Sequence, residues 1–134
     1  VNKNTKLALI NIFCMPSWAP GRAVSGSGVI IEKRGVILTN AHLGQYLLLK
    51  DFPAKDSINC VIKTGSPAKE TYKAEIIYFS PEWAKQNAKN IKENNPMGTG
   101  ENDFALLLIT ERSDGKSPLP SSFPFIKTPF YQSC

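Results

Sequence analysis

Two side chains in this sequence have the types and placement to act as an acid–base pair. The chain holds a single histidine, His42. It stands at the end of VILTNAH, where an apolar, β-branched segment gives way to small residues. A near-neutral pKa makes histidine the usual general base in catalysis. Its common alternative is a structural or exposed role. What separates His42 from that alternative is its place directly after a strand-like run, where a rigid scaffold can hold a side chain.

A histidine base needs a group that fixes its tautomer and supports the imidazolium formed in reaction, as a buried carboxylate does in the serine triad. Asp103 is the candidate. It opens the apolar run DFALLLIT, so its backbone should be anchored while its carboxylate lies at the sheet edge. Taken alone it also reads as an acid at a strand start. Asp51, Asp56 and Asp114 lie in polar turns without that anchorage. The expectation is that His42 and Asp103 meet at the rim of the fold. A ring nitrogen should then lie roughly 2.6–3.2 Å from a carboxylate oxygen, or somewhat farther.

The elements that must position this pair are short strands. Ten prolines and nine glycines impose many turns and favour short strands over long helices. Lys6 to Cys14 reads as a first strand, too continuously apolar to show alternation, and Met15 to Arg22 as a turn. Ser25 to Glu32 and Val36 to Thr39 form a hairpin across Lys33-Arg34-Gly35. Asn40 to Lys50 favours a short helix, weakened by Gly44. Ile58 to Lys63 and Tyr72 to Phe79 are the fourth and fifth strands, and Asp103 to Thr110 the sixth. Between the last two, Ser80-Pro81-Glu82 is a helix start, with Ser as N-cap and Pro at the first helical position. It predicts a helical insertion near 81–92, with Trp83, Ala84, Ala88 and Ile91 on one face. Six such strands predict an all-β fold, a six-stranded antiparallel barrel filled by its own side chains.

With those elements in place, a resemblance becomes legible. SGSGVIIEKRGVILTNAH, Ser25 to His42, resembles the chymotrypsin-fold, trypsin-like serine peptidases, particularly their bacterial HtrA-like (Do-type) branch. NDFALL, Asn102 to Leu107, resembles the Asp-aliphatic-Ala-Leu strand of the same family. The separation of 61 positions between His42 and Asp103 fits that family's first barrel. The similarity spans Leu7 to Thr110. It implies a six-stranded Greek-key barrel over 1–112 and a Pro-rich connection over 113–134 leading to a second barrel. It implies peptide-bond hydrolysis with a polypeptide substrate and no cofactor or metal. His42 would act as general base and later general acid, and Asp103 would orient it, with backbone N–H groups near Ala41 and His42 donating to its carboxylate.

The sequence departs from that family at the nucleophile. A Gly-x-Ser-Gly-Gly type turn is absent from these 134 residues. Ser121, Ser122 and Ser133 lack flanking glycines, and Cys134 follows Asp103 too closely to fit the pattern. The oxyanion hole and primary specificity pocket belong to the second barrel in the family. These 134 residues alone are therefore expected to be inactive. The nucleophile, Ser or Cys, would come from elsewhere. The other readings are a non-catalytic barrel that binds a peptide or protein, and a chymotrypsin-fold cysteine peptidase.

Cys14, Cys60 and Cys134 match no zinc spacing. The resemblance makes the strands carrying Cys14 and Cys60 neighbours, which leaves open a disulfide or two reduced core thiols. The net charge of +5 is spread over lysines interleaved with acids. That argues for a solvated surface and against nucleic acid, as does the lack of an aromatic and basic stripe. No run reaches the roughly 18 apolar residues of a membrane span. The first residue is Val1 rather than Met, which suggests a processed, truncated or fragmentary chain. The resemblance implies an extracytoplasmic setting, whether periplasmic, cell-envelope or secreted.

Overall fold

The computed structural model describes residues 3–19, 21–51, 54–90 and 103–126. The described elements are α1 (Lys3–Ala8), β1 (Leu9–Pro16), β2 (Val24–Glu32), β3 (Val36–Thr39), α2 (Ala41–Leu48), β4 (Ile58–Thr64), β5 (Lys69–Phe79), α3 (Pro81–Asn90) and β6 (Ala105–Arg112). The six strands close into an antiparallel barrel in the order β1-β2-β3-β6-β5-β4. β1 pairs back with β4 to close it, and β3 pairs with β6, Val36 opposite Leu108 through Thr39 opposite Ala105. That pairing sets the end of β3 beside the start of β6, and it is what the site depends on.

Alternation that is hidden in the sequence is plain in the fold. Along β1, Ile10, Ile12 and Cys14 are buried while Leu9, Asn11, Phe13 and Met15 are less so. The outward apolar side chain Phe13 is covered by the Lys63 ammonium, 4.3 Å from its ring centroid. Ile10, Ile12, Ile30, Ile37, Ile62, Leu107 and Ile109 fill the barrel, as expected of a barrel this narrow. Leu43 and Leu47 of α2 join the same core from the end where β3 stops.

The far end is closed by the Pro-rich segment that reads from the sequence as a linker or an extended packing segment. After β6 the chain turns at Asp114 and runs back, with the Phe123 N–H donating to Lys33 O at 2.8 Å and the Ile126 N–H to Ile30 O at 3.0 Å. Phe123 is buried in the barrel core and meets Tyr72 edge to face at 5.4 Å. Gly35, in the β2–β3 turn, has φ +93°, and a Cβ there would sit 2.9 Å from the Phe123 ring. Glycine is thus required at position 35 both by its left-handed backbone and by the aromatic ring against it.

The elements differ from the sequence expectation at their ends. Lys6 to Ala8 belong to α1 rather than to the first strand. Ladder pairing begins only at Leu9, opposite Val29, and Leu7-Ala8 are good helix formers. β5 starts at Lys69 rather than Tyr72, because Lys69 and Glu70 pair with Thr64 and Lys63 through backbone groups that do not require apolar side chains. β6 starts at Ala105, so Asp103 lies just before the strand.

Candidate active site

His42 is the second residue of α2, and the sequence builds that helix start with care. Asn40 is the N-cap, and its side chain accepts a hydrogen bond from the Leu43 N–H at 2.7 Å. This satisfies one of the orphan N–H groups of the first turn. Two more are taken by Asp103. Its Oδ1 accepts from the Ala41 N–H at 2.8 Å and from the His42 N–H at 3.3 Å. A carboxylate at this position also lies at the positive end of the helix dipole. Asp103 is therefore held to α2 by its backbone donors, and its second oxygen is left for the histidine ring.

That second oxygen, Oδ2, lies 3.8 Å from His42 Nδ1. The two side chains expected to meet do meet at the barrel rim. The distance is within ion-pair reach and longer than the 2.6–3.2 Å expected of a direct hydrogen bond. The His42 side chain remains 46% exposed and that of Asp103 26%. The arrangement can hold an imidazole with Nδ1 toward a carboxylate, which is the geometry of an oriented base.

Close packing sets the approach. Gly44, one turn into α2, lies on Ala105 of β6, and on the Phe79 ring. Gly44 weakens the helix by propensity, yet it is what lets α2 settle on the barrel. Thr39, buried before Asn40, donates its hydroxyl to Ser27 O at 3.0 Å, tying the end of β3 to β2.

The helical insertion is present as α3, capped by Ser80, whose Oγ accepts from the Trp83 N–H at 3.3 Å. Trp83 is buried, but Ala84 is exposed, so the two do not share the buried face as expected. Ile91, Asn102, Ser133 and Cys134 lie outside the described residues. Sequence reasoning did not connect Trp83 to His42. In the fold their rings meet edge to face at 5.2 Å. The signal was a large aromatic in the first turn of an otherwise polar helix.

Cys14 and Cys60 are direct cross-strand partners of β1 and β4 and are joined by a disulfide with a Cα separation of 4.0 Å. No group of three or more metal-ligating side chains gathers among the described residues, and no helix among them is long and apolar enough to cross a membrane.

A closed antiparallel barrel in this strand order, with the histidine helix leaving β3 and the acid entering the neighbouring β6, decides the fold type. The barrel is chymotrypsin-like. Among solved structures, Deg5 matches at 19% identity with a TM-score of 0.49, covering 80% of this chain and 39% of that one. The Rv3671c protease from M. tuberculosis, in its active form, matches at 16% identity with a TM-score of 0.42, covering 85% of this chain and 34% of that one. The chain thus spans well under half the length of either. No protein-family model and no curated protein sequence matches the chain. The functional reading therefore rests on the geometry around His42.

Proposed function

We propose that this chain is the N-terminal part of a trypsin-like serine endopeptidase, with His42 as general base and Asp103 as its orienting carboxylate. The observation that carries the reading is the divided role of Asp103. One oxygen is bound by the α2 backbone, and the other faces His42 Nδ1 at 3.8 Å. Residues 1–112 would form the first barrel and 113–134 the connection to a second barrel that supplies the nucleophile and oxyanion hole. His42 Nε2 would take the proton of the attacking hydroxyl and return it to the leaving amine, while Asp103 stabilises the imidazolium between those steps. The substrate would be a polypeptide, and no cofactor enters. The Cys14–Cys60 disulfide supports an oxidising, extracytoplasmic setting.

The exposed, stacked rings of Tyr78 and Phe104, with Ile77 beside them in sequence, favour a second reading in which this barrel binds a partner without catalysis. A casein-type assay separates the two. The 134-residue chain alone should not turn over substrate. Joined to a second barrel it should, with loss of turnover in His42→Ala and a fall of about 10⁴ in kcat in Asp103→Asn. Turnover by the chain alone that His42→Ala abolishes would contradict the proposal. Tight peptide binding by the joined protein without hydrolysis would favour the binding barrel.

A further inference from the structure

We propose that Trp83 is a positioning residue for His42, holding its imidazole at the rim on the side of Asp103. The proposal rests on the reading of His42 as the base. Of the α3 side chains from Pro81 to Lys85, four are exposed and Trp83 is only 5% exposed. The buried residue of this helix turn is the one that touches the histidine. Its indole meets two rings edge to face: Phe79 at 5.4 Å with an interplanar angle of 87°, and His42 at 5.2 Å with an angle of 70°. Phe79 in turn lies on α2, where a Cβ at Gly44 would be 3.7 Å from its ring. Trp83 is thus braced through Phe79 against the helix that carries His42, and its own backbone is fixed by the Ser80 cap.

Asp103 alone leaves the imidazole under-determined. At 3.8 Å the carboxylate attracts Nδ1 without the directionality of a short hydrogen bond. An imidazole that is 46% exposed could otherwise rotate toward solvent. An aromatic wall on a second side removes that freedom. Trp83 is too buried to offer much surface to a substrate, so it acts through His42. The β5–β6 connection thereby supplies both restraints on the base, the acid at its end and the wall near its start.

Because His42 is the chain's only histidine, its ring protons can be followed by NMR without ambiguity. In the 134-residue chain we expect through-space contacts between indole and imidazole protons, and imidazole shifts displaced by the indole ring current. Trp83→Leu should abolish the contacts and return the shifts toward those of free imidazole. Trp83→Phe should restore part of the displacement. In the two-barrel protein, Trp83→Leu should lower kcat by about ten- to a hundredfold with little change in KM, as a misplaced reacting group does. Absence of indole–imidazole contacts in the unmodified chain overturns the proposal, whatever the variants do. So do unchanged ring signals in a Trp83→Leu chain whose amide spectrum is folded. Failure of the unmodified two-barrel protein to hydrolyse peptides would instead sink the peptidase reading, while the spectra still report whether Trp83 holds the ring.

Discussion

A Cβ placed on Gly44 of α2 would lie 2.7 Å from the Cβ of Ala105 in β6. Helix and strand touch here through a residue with no side chain. His42 lies half a turn before this contact and Asp103 two residues before it, so the contact sets how closely the two side chains approach.

Gly44→Ala tests that relationship. In an exposed helix the change would stabilise by about 1 kcal/mol. Here the neighbour is a Cβ fixed to the backbone and cannot rotate away, and overpacking of this kind costs about 1–3 kcal/mol. The expected outcome is a lower urea midpoint and weaker coupling of His42 to Asp103. Combining it with Ala105→Gly should give less destabilisation than the two single changes added together. A raised midpoint in Gly44→Ala would show that the helix can move off the strand freely.

Phe123 packs the segment after β6 into the barrel core. Removing its ring should cost about 3–5 kcal/mol, as for other buried Phe→Ala changes. Ser121→Ala and Ser122→Ala, at exposed neighbours, should stay within about 0.5 kcal/mol of the parent. Urea unfolding of the three variants checks this. Equal stabilities would place the edge of the folded unit before residue 123.

The Cys14–Cys60 bridge closes a loop between residues 46 apart in sequence. By chain entropy such a cross-link is worth on the order of 4 kcal/mol. Reductant should lower the urea midpoint of the parent and leave a Cys14→Ala/Cys60→Ala double variant unchanged. Peptide mapping should recover the two cysteines linked. A midpoint indifferent to reductant would argue for free thiols.

Asp114 gives a measurable acid-side feature away from the site. Its carboxylate accepts from the Ser117 hydroxyl at 2.6 Å and from the backbone N–H groups of Lys116 and Ser117 at 2.8 and 2.9 Å. These bonds, the hydroxyl first, lower its pKa from 3.8 to about 2. Because the folded value is depressed, the turn's contribution is complete above about 3.8 and fades as pH falls toward 2. Carboxyl ¹³C titration should show a midpoint near 2, and Ser117→Ala should move it back up. A midpoint at the ordinary value in the parent would mean that the turn is not formed in solution.

Much of this fold was legible because its signals are local. Gly35 ends a polar tripeptide between two β-branched runs, so the β2–β3 hairpin could be read without knowing what it packs on. Ala, Leu and Gln between Asn40 and Lys50 favour a short helix by propensity, and Ser80-Pro81-Glu82 marks a helix start, since caps and prolines act within one turn. The placement of His42 after one apolar run and Asp103 before another made both candidates visible.

What the sequence determined by itself was thus a set of strands, two helical segments with the start of one, and the two side chains with chemistry to offer. Their meeting was decided by tertiary structure. β3 and β6 are remote in sequence, and only their pairing in the folded barrel makes them neighbours and sets Asp103 on the first turn of α2. The role of Gly44 was likewise hidden. Propensity counts it against the helix, and the close approach to Ala105 that requires it exists only once helix and strand are packed. The segment carrying Phe123 read as a linker or an extended packing segment, and burial at the open end of a barrel, which separates the two, depends on the whole barrel. Trp83 could be placed on a helix from its neighbours, but its contact with His42 belongs to two elements joined by no local rule. Short-range signals follow from one residue's own conformational preferences, whereas a site is a set of distances between remote residues, and those distances exist only in the folded chain.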